Sequence, residues 1–167
     1  MPDNRIERIF KILKQLYPEA EPQLDFTNPF ELLIATILSA QCTDKRVNEV
    51  TKDLFRKYKL PGDYLLVPDE ELQKDIFSLG FYKQKTKSIK KCCEQLIEEF
   101  GGEVPADFDK LVRLAGVGRK TASVVAGNAF GIPAIAVDTH VKRLSNILGF
   151  TKSKNPDIIE KDLKNLL

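Results

Sequence analysis

Two side chains stand out for the chemistry they could carry. Lys120 follows Gly116-Val117-Gly118-Arg119, and Asp138 lies within Val137-Asp138-Thr139-His140. A lysine amine, once neutral, attacks an electrophilic carbon and forms a Schiff base. The start of a helix, the neighbouring Arg119 and partial burial each favour the neutral amine. A carboxylate at a helix N-cap stays ionised because backbone donors hold it, and in that form it can stabilise a developing cation. Both residues also have plainer readings. Lys120 can meet a phosphate as a point charge, and Asp138 can be a cap and nothing more. Position alone leaves both readings open. His140, the only histidine, lies two residues beyond Asp138, should not face it on a helix, and is expected to be structural.

The stretch that must position these groups runs over residues 111–140. It reads as a helix, a tight Gly116-Val117-Gly118 turn, a second helix, a short extended link, and a third helix opened by Asp138. Arg119 and Lys120 break ordinary helix grammar, because the dipole is already positive at an N-terminus. The turn glycines let the backbone approach another molecule closely, and the free N–H groups that begin the second helix can hold a phosphate. Val117 at the tip can rest against a sugar-phosphate backbone without demanding a base sequence. Ala122, Ser123, Ala126 and Gly127 allow close packing of that helix on a neighbour. The alternative is a plain helical turn with solvated Arg119 and Lys120.

Helical spacing of apolar residues and caps places further helices over 3–16, 29–40, 43–58, 68–78, 82–100, 108–114, 138–148 and 155–167. The helix over 29–40 is apolar on nearly every side and is expected at the centre. Pro61-Gly62 reads as a break. No run alternates convincingly as a strand, so the fold class is all-α, with about nine or ten helices. The apolar run 32–40 is far too short to span a bilayer. Formal net charge is only +2, so attraction to nucleic acid must come from local clustering. Cys42, Cys92 and Cys93 form neither a disulfide framework nor a zinc pattern, and the N-terminus lacks an apolar signal core, so a reduced, soluble intracellular protein is expected.

The hairpin Leu114-Ala115-Gly116-Val117-Gly118-Arg119-Lys120-Thr121-Ala122, the Val137-Asp138-Thr139-His140 motif, the segment LIATILSAQCTD from Leu33 to Asp44, Asn28-Pro29-Phe30-Glu31-Leu32-Leu33 and Gly102-Glu103-Val104-Pro105 together resemble the endonuclease III family of helix-hairpin-helix DNA glycosylases. The resemblance covers essentially the whole chain. It implies two helical lobes with the active site in the cleft between them: a central domain over 22–132, and a second lobe made from 1–21 plus 133–167. It implies a base-excision repair enzyme that flips an oxidised pyrimidine out of duplex DNA and then nicks the abasic site by β-elimination. Lys120 matches the family's nucleophile and Asp138 its catalytic aspartate. Gln41 matches the glutamine that enters the space left by the flipped nucleotide. Phe81 stands where relatives place an apolar wedge, though a core phenylalanine would also fit. Gly116, Val117, Gly118 and Arg119 would meet the DNA backbone, and Lys83, Lys85, Lys87, Lys90 and Lys91 could add a basic face.

Typical members carry a four-cysteine loop that binds a [4Fe–4S] cluster, and the three cysteines here do not reproduce its spacing. No cofactor or metal is therefore expected in this chain. The last helical pattern stops at Leu166-Leu167 as if cut, and an incomplete lobe would leave Ile6, Ile9 and Leu163 partly unburied. The expected partner is double-stranded DNA with damaged bases or abasic sites, met by a cytoplasmic monomer alongside chromosomal DNA. Two rivals are weighed. An adenine-specific glycosylase would lack Lys120 and carry a glutamate near the position of Ile37, and a non-catalytic DNA-binding module would not need Lys120 and Asp138 together.

Overall fold

A computed structural model describes residues 4–167. Among them are ten α-helices joined by short turns: α1 (Asn4–Leu16), α2 (Pro29–Leu38), α3 (Asp44–Lys57), α4 (Pro61–Leu66), α5 (Asp69–Ile76), α6 (Tyr82–Phe100), α7 (Phe108–Val112), α8 (Arg119–Phe130), α9 (Thr139–Ile147) and α10 (Pro156–Leu166). A 3-10 turn, Phe77–Leu79, follows α5. The all-α architecture read from the sequence is the one found. The first predicted helix begins at Asp3, which lies outside the described residues.

The central helix is α2. Its N-cap Asn28 accepts from the Glu31 N–H at 2.9 Å, and Pro29 fills the first helical position, where a missing N–H costs nothing. Leu32, Leu33, Ile34, Ile37 and Leu38 are all buried, which corresponds to roughly 10 kcal/mol of transfer free energy before the entropy of ordering is set against it. The small residues Ala122, Ser123 and Ala126 are buried on α8 and let it lie against α2. The long helix α6 packs on α2, α4 and α5, and ends at Gly101 and Gly102, where the Gly102 N–H returns to the Leu96 carbonyl at 2.8 Å.

The expected break at Pro61-Gly62 is a helix start instead. Pro61 occupies the first turn of α4, and the Asp63 carboxylate accepts from the N–H groups of Lys59 and Leu60 at 2.8 and 2.9 Å. A proline that would break a helix interior is well placed at its beginning, and burial of Tyr64 anchors the short segment.

The two ends of the chain meet in a second layer. Phe10 of α1 stacks on Phe150, with centroids 6.2 Å apart and ring planes within 7°. Arg5 donates to the Leu148 carbonyl at 2.8 Å, and Thr151 to Asp162 at 2.6 Å. Ile6 and Ile9 are half-buried, but Leu163, expected to be partly unburied, is 7% exposed on the inward face of α10. Among the described residues no helix is long and apolar enough to cross a membrane.

Candidate active site

The hairpin between α7 and α8 is held from below. Gly116 has φ +76°, a left-handed conformation, and a Cβ there would stand 2.9 Å from Ser88 Cβ and 3.4 Å from Ile37 Cγ2. Only glycine fits both the turn and that close approach. Gln95, on α6, supports the turn with both ends of its amide: Nε2 donates to the Arg113 carbonyl at 3.2 Å, and Oε1 accepts from the Ala115 N–H at 2.8 Å. Sequence reasoning missed this residue, since nothing in a helical glutamine announces a distant backbone partner. Val117 corrects an expectation. Its side chain is 6% exposed and belongs to the core, and its N–H donates to the Leu114 carbonyl, so the tip of the turn is presented by the flanking glycines.

The N-terminus of α8 is open. Gly118 is its N-cap and offers no side chain, whereas Asn28, Thr43, Asp107, Asp138 and Asn155 cap their helices with side-chain oxygens. Its first-turn N–H groups therefore face outward with the positive end of the dipole, a ready anion site. Arg119 is an exposed residue, yet its guanidinium is held by a carboxylate of the protein rather than left to solvent. Nε and Nη2 reach the two carboxylate oxygens of Glu160 at 3.1 and 3.0 Å.

Lys120 and Asp138 come together. Both line a cleft of about 590 Å³ that also receives Ser39, Cys42, Thr43, Asp44 and His140. Both also line an adjoining cavity of about 220 Å³ whose apolar walls include Leu24, Leu32, Val124 and Ala136. A hollow of about 640 Å³ beside α3 is larger, but its Lys57 and Asp75 are spent on each other at 2.7 Å, so the chemistry stays with the smaller cleft. Lys120 is exposed in this cleft, not partly buried. Asp138 is half-buried, and its Oδ1 accepts from the Val141 N–H at 2.8 Å, so it is a cap whose carboxylate also faces the cleft. His140 is exposed and lines the same cleft, against the structural role expected of it. Asp44, the first residue of α3, lines both cavities; its place in the LSAQCTD segment was the only signal for it.

Gln41 and Phe81 share an unusual conformation. They are the only non-glycine residues with positive φ among those described, at 55° and 48°. Such a backbone costs on the order of 1–3 kcal/mol and persists only where the surroundings impose it. Both are exposed, and Phe81 at 64% exposure is no core residue. Part of the support is Lys85. Burial pushes its ammonium below its ordinary pKa, within electrostatic reach of the Cys42 thiol, and it donates to the Leu79 carbonyl at 3.0 Å. This buried side chain braces the turn that leads into Phe81.

The expected basic face is largely consumed. Lys85 is buried, Lys90 pairs with Asp69 at 2.6 Å and Lys91 with Glu94 at 2.6 Å, which leaves Lys83 and Lys87 exposed. The cysteines do not fit an iron–sulfur cluster. Four thiolates are needed, the chain has three cysteines, and Cys92 and Cys93 are buried within α6. Burial pushes the Cys92 thiol up to about 12, and the Cys93 thiol higher still, away from the thiolate a metal requires. Among the described residues no group of three or more His, Cys, Asp or Glu side chains could hold a metal ion.

Residues 34–167 match the family described as HhH-GPD superfamily base excision DNA repair protein. Endonuclease III of Bacillus subtilis is 56% identical over 160 residues, which span 95% of this chain and 73% of that protein. The chain belongs to the endonuclease III family. Endonuclease III of Escherichia coli is 44% identical over 151 residues, spanning 90% of this chain and 72% of that one. Among solved structures, a non-covalent endonuclease III–DNA complex superimposes with a TM-score of 0.94 at 51% identity, covering 98% of this chain and 77% of that one. A trapped endonuclease III–DNA covalent intermediate, the estranged-adenine complex, matches with the same TM-score, identity and coverage. The family membership makes this chain a base-excision repair glycosylase and lyase.

Proposed function

We propose that Lys120 and Asp138 perform this reaction on duplex DNA containing an oxidised pyrimidine or an abasic site. The observation that carries the reading is their convergence on one cleft from the starts of two helices. The Lys120 amine donates its lone pair to the sugar C1′. The glycosidic bond breaks, its electron pair leaves on the base, and the Asp138 carboxylate balances the cationic sugar during the transfer. The attached nitrogen then loses a proton and its lone pair expels the ring oxygen O4′, which takes up a proton as the ring opens, leaving a protonated Schiff base between C1′ and Lys120 Nζ. Removal of a 2′ proton then expels the 3′ phosphate oxygen by β-elimination, and water releases the enzyme.

The hairpin grips the backbone through the glycines Gly116 and Gly118 and the main-chain N–H of Arg119, at a helix start that its own chain leaves uncapped. Gln41 and Phe81 enter the base stack from their exposed, strained turns, which is the work a wedge must do. Residues 22–132 form the central domain, and the two chain ends form the second lobe; the apolar core cluster from Leu24 to Ala126 and the Phe10–Phe150 stack support that division. The protein works as a monomer in the cytoplasm, on chromosomal DNA.

An oligonucleotide duplex with one abasic site tests the reading. Borohydride is expected to trap a covalent adduct with the wild-type protein and none with Lys120→Gln. Binding without any adduct in the wild type would leave a DNA-holding module and remove the catalytic assignment.

A further inference from the structure

Arg119 is the residue before Lys120, and its side chain turns away from the open helix end toward α10. The Glu160 carboxylate that receives it has a side chain only 6% exposed. A planar guanidinium matches a carboxylate through two parallel hydrogen bonds, a geometry that a lysine ammonium cannot reproduce. Lys164 adds a third contact, donating to Glu160 Oε1 at 2.6 Å. Beneath both cations lies the ring of Phe108 at the start of α7, 5.0 Å from Arg119 Cζ and 5.6 Å from Lys164 Nζ. The cluster thus joins both arms of the hairpin, α7 and α8, to α10.

The continuation of that chain of contacts leads back to the cleft. Helix α10 packs on α9, whose N-cap is Asp138, and Pro156 at the start of α10 lines the cleft beside Lys120 and Asp138. A buried carboxylate deprived of its cation is costly, so the arrangement tolerates little slack. It also accounts for a cation at a helix N-terminus, where the dipole opposes it: the partner lies on another helix.

We infer that Arg119 and Glu160 form a latch between the hairpin and α10, a positioning pair that sets the spacing of Lys120 from Asp138. The inference rests on the reading in which those two residues act together. Neither latch residue touches the reacting atoms. The guanidinium is thereby committed to the protein and is not a phosphate contact.

The test measures two quantities on an abasic-site duplex: the single-turnover rate of borohydride-trapped adduct at saturating protein, and the salt dependence of binding. With the latch, Glu160→Gln and Arg119→Lys each slow trapping by roughly ten- to a hundredfold, the loss expected when a reacting group is displaced by about an ångström. The double variant is no slower than the slower single one, because both changes break the same contact. The salt slope of Arg119→Met stays at the wild-type value. Wild-type trapping rates in Glu160→Gln and Arg119→Lys overturn the latch. So does a slope lowered by about one in Arg119→Met, which is the signature of a lost phosphate contact. Should Glu160→Gln melt below the assay temperature, Arg119→Lys decides alone: it keeps the charge a phosphate would need and loses the fork the latch needs. An adduct that persists in Lys120→Gln would sink the catalytic assignment itself, a failure distinct from that of the latch.

Discussion

Two helix N-termini open on the same cleft, and they are built in opposite ways. Helix α9 begins with Asp138, whose carboxylate accepts the Val141 N–H and so uses one of the helix's own donors. Helix α8 begins with Gly118, which supplies no cap, and continues with Arg119 and Lys120 where the dipole disfavours cations. One end is closed by its own anion; the other waits for an anion from outside. The difference separates the tasks that the cleft requires. A capped end fixes a carboxylate in place, and an uncapped end leaves donors for a phosphate while holding an amine nearby. Local stability has been kept at one terminus and given up at the other.

Changing the closed end is expected to have the largest effect. Asp138→Asn keeps a good N-cap, so the melting temperature should hardly move, while base release in a single-turnover assay should fall on the order of a hundredfold or more through loss of the negative charge. Asp138→Ala should show the same loss of rate together with about 1 kcal/mol of destabilisation in a denaturant titration. A wild-type rate for the asparagine variant would reduce Asp138 to a cap.

Closing the open end should invert the usual relation between stability and function. Gly118 has an extended backbone, and a Cβ there meets nothing within 4 Å, so aspartate fits. Gly118→Asp should stabilise the fold by about 0.5 kcal/mol through capping and the dipole. It should also weaken DNA binding roughly tenfold by occupying donors meant for phosphate and adding a like charge. A titration with fluorescent duplex, paired with a thermal melt, reads both signs. Tighter binding in this variant would remove the backbone-grip role of the turn.

The smallest effect concerns the α10 carboxylate that holds the Arg119 guanidinium. Burial works against the charge of Glu160, but hydrogen bonds from Arg119 and Lys164 outweigh it and hold the carboxyl below its ordinary range. A depressed folded-state pKa contributes stability above the unfolded value, near ~4.3, and that contribution is lost as the pH falls through the folded value. Wild-type melting temperature should therefore drop more than that of Glu160→Gln as the medium is acidified below about pH 4. Parallel profiles would mean that the pair adds nothing to stability.

Much of this molecule was legible in its residues. Asn28-Pro29, Asp107, Asp138 and Asn155 mark helix starts because a cap is a local interaction, completed within a few residues of itself. The apolar surround of 29–40 marks the central helix because burial on all sides leaves no room for polar positions. Pro61 misled because a proline's meaning depends on whether a helix precedes or follows it, and the Asp63 carboxylate that decides the matter is a weak signal by itself. Val117 misled in a similar way: a hydrophobic residue at a turn tip can face out or in, and only the packing beneath the hairpin chooses.

The sequence by itself determined the class of fold, the open helix start at Gly118 and the pairing of a lysine with a carboxylate as the chemical candidates, since these follow from residue types and near neighbours. Tertiary structure alone decided that Lys120 and Asp138 share a cleft, that the Arg119 guanidinium belongs to Glu160, and that a buried Lys85 holds the Leu79 carbonyl ahead of the exposed, strained Phe81. The first two join residues far apart in the chain. Backbone periodicity carries no information about such partners until the helices are packed.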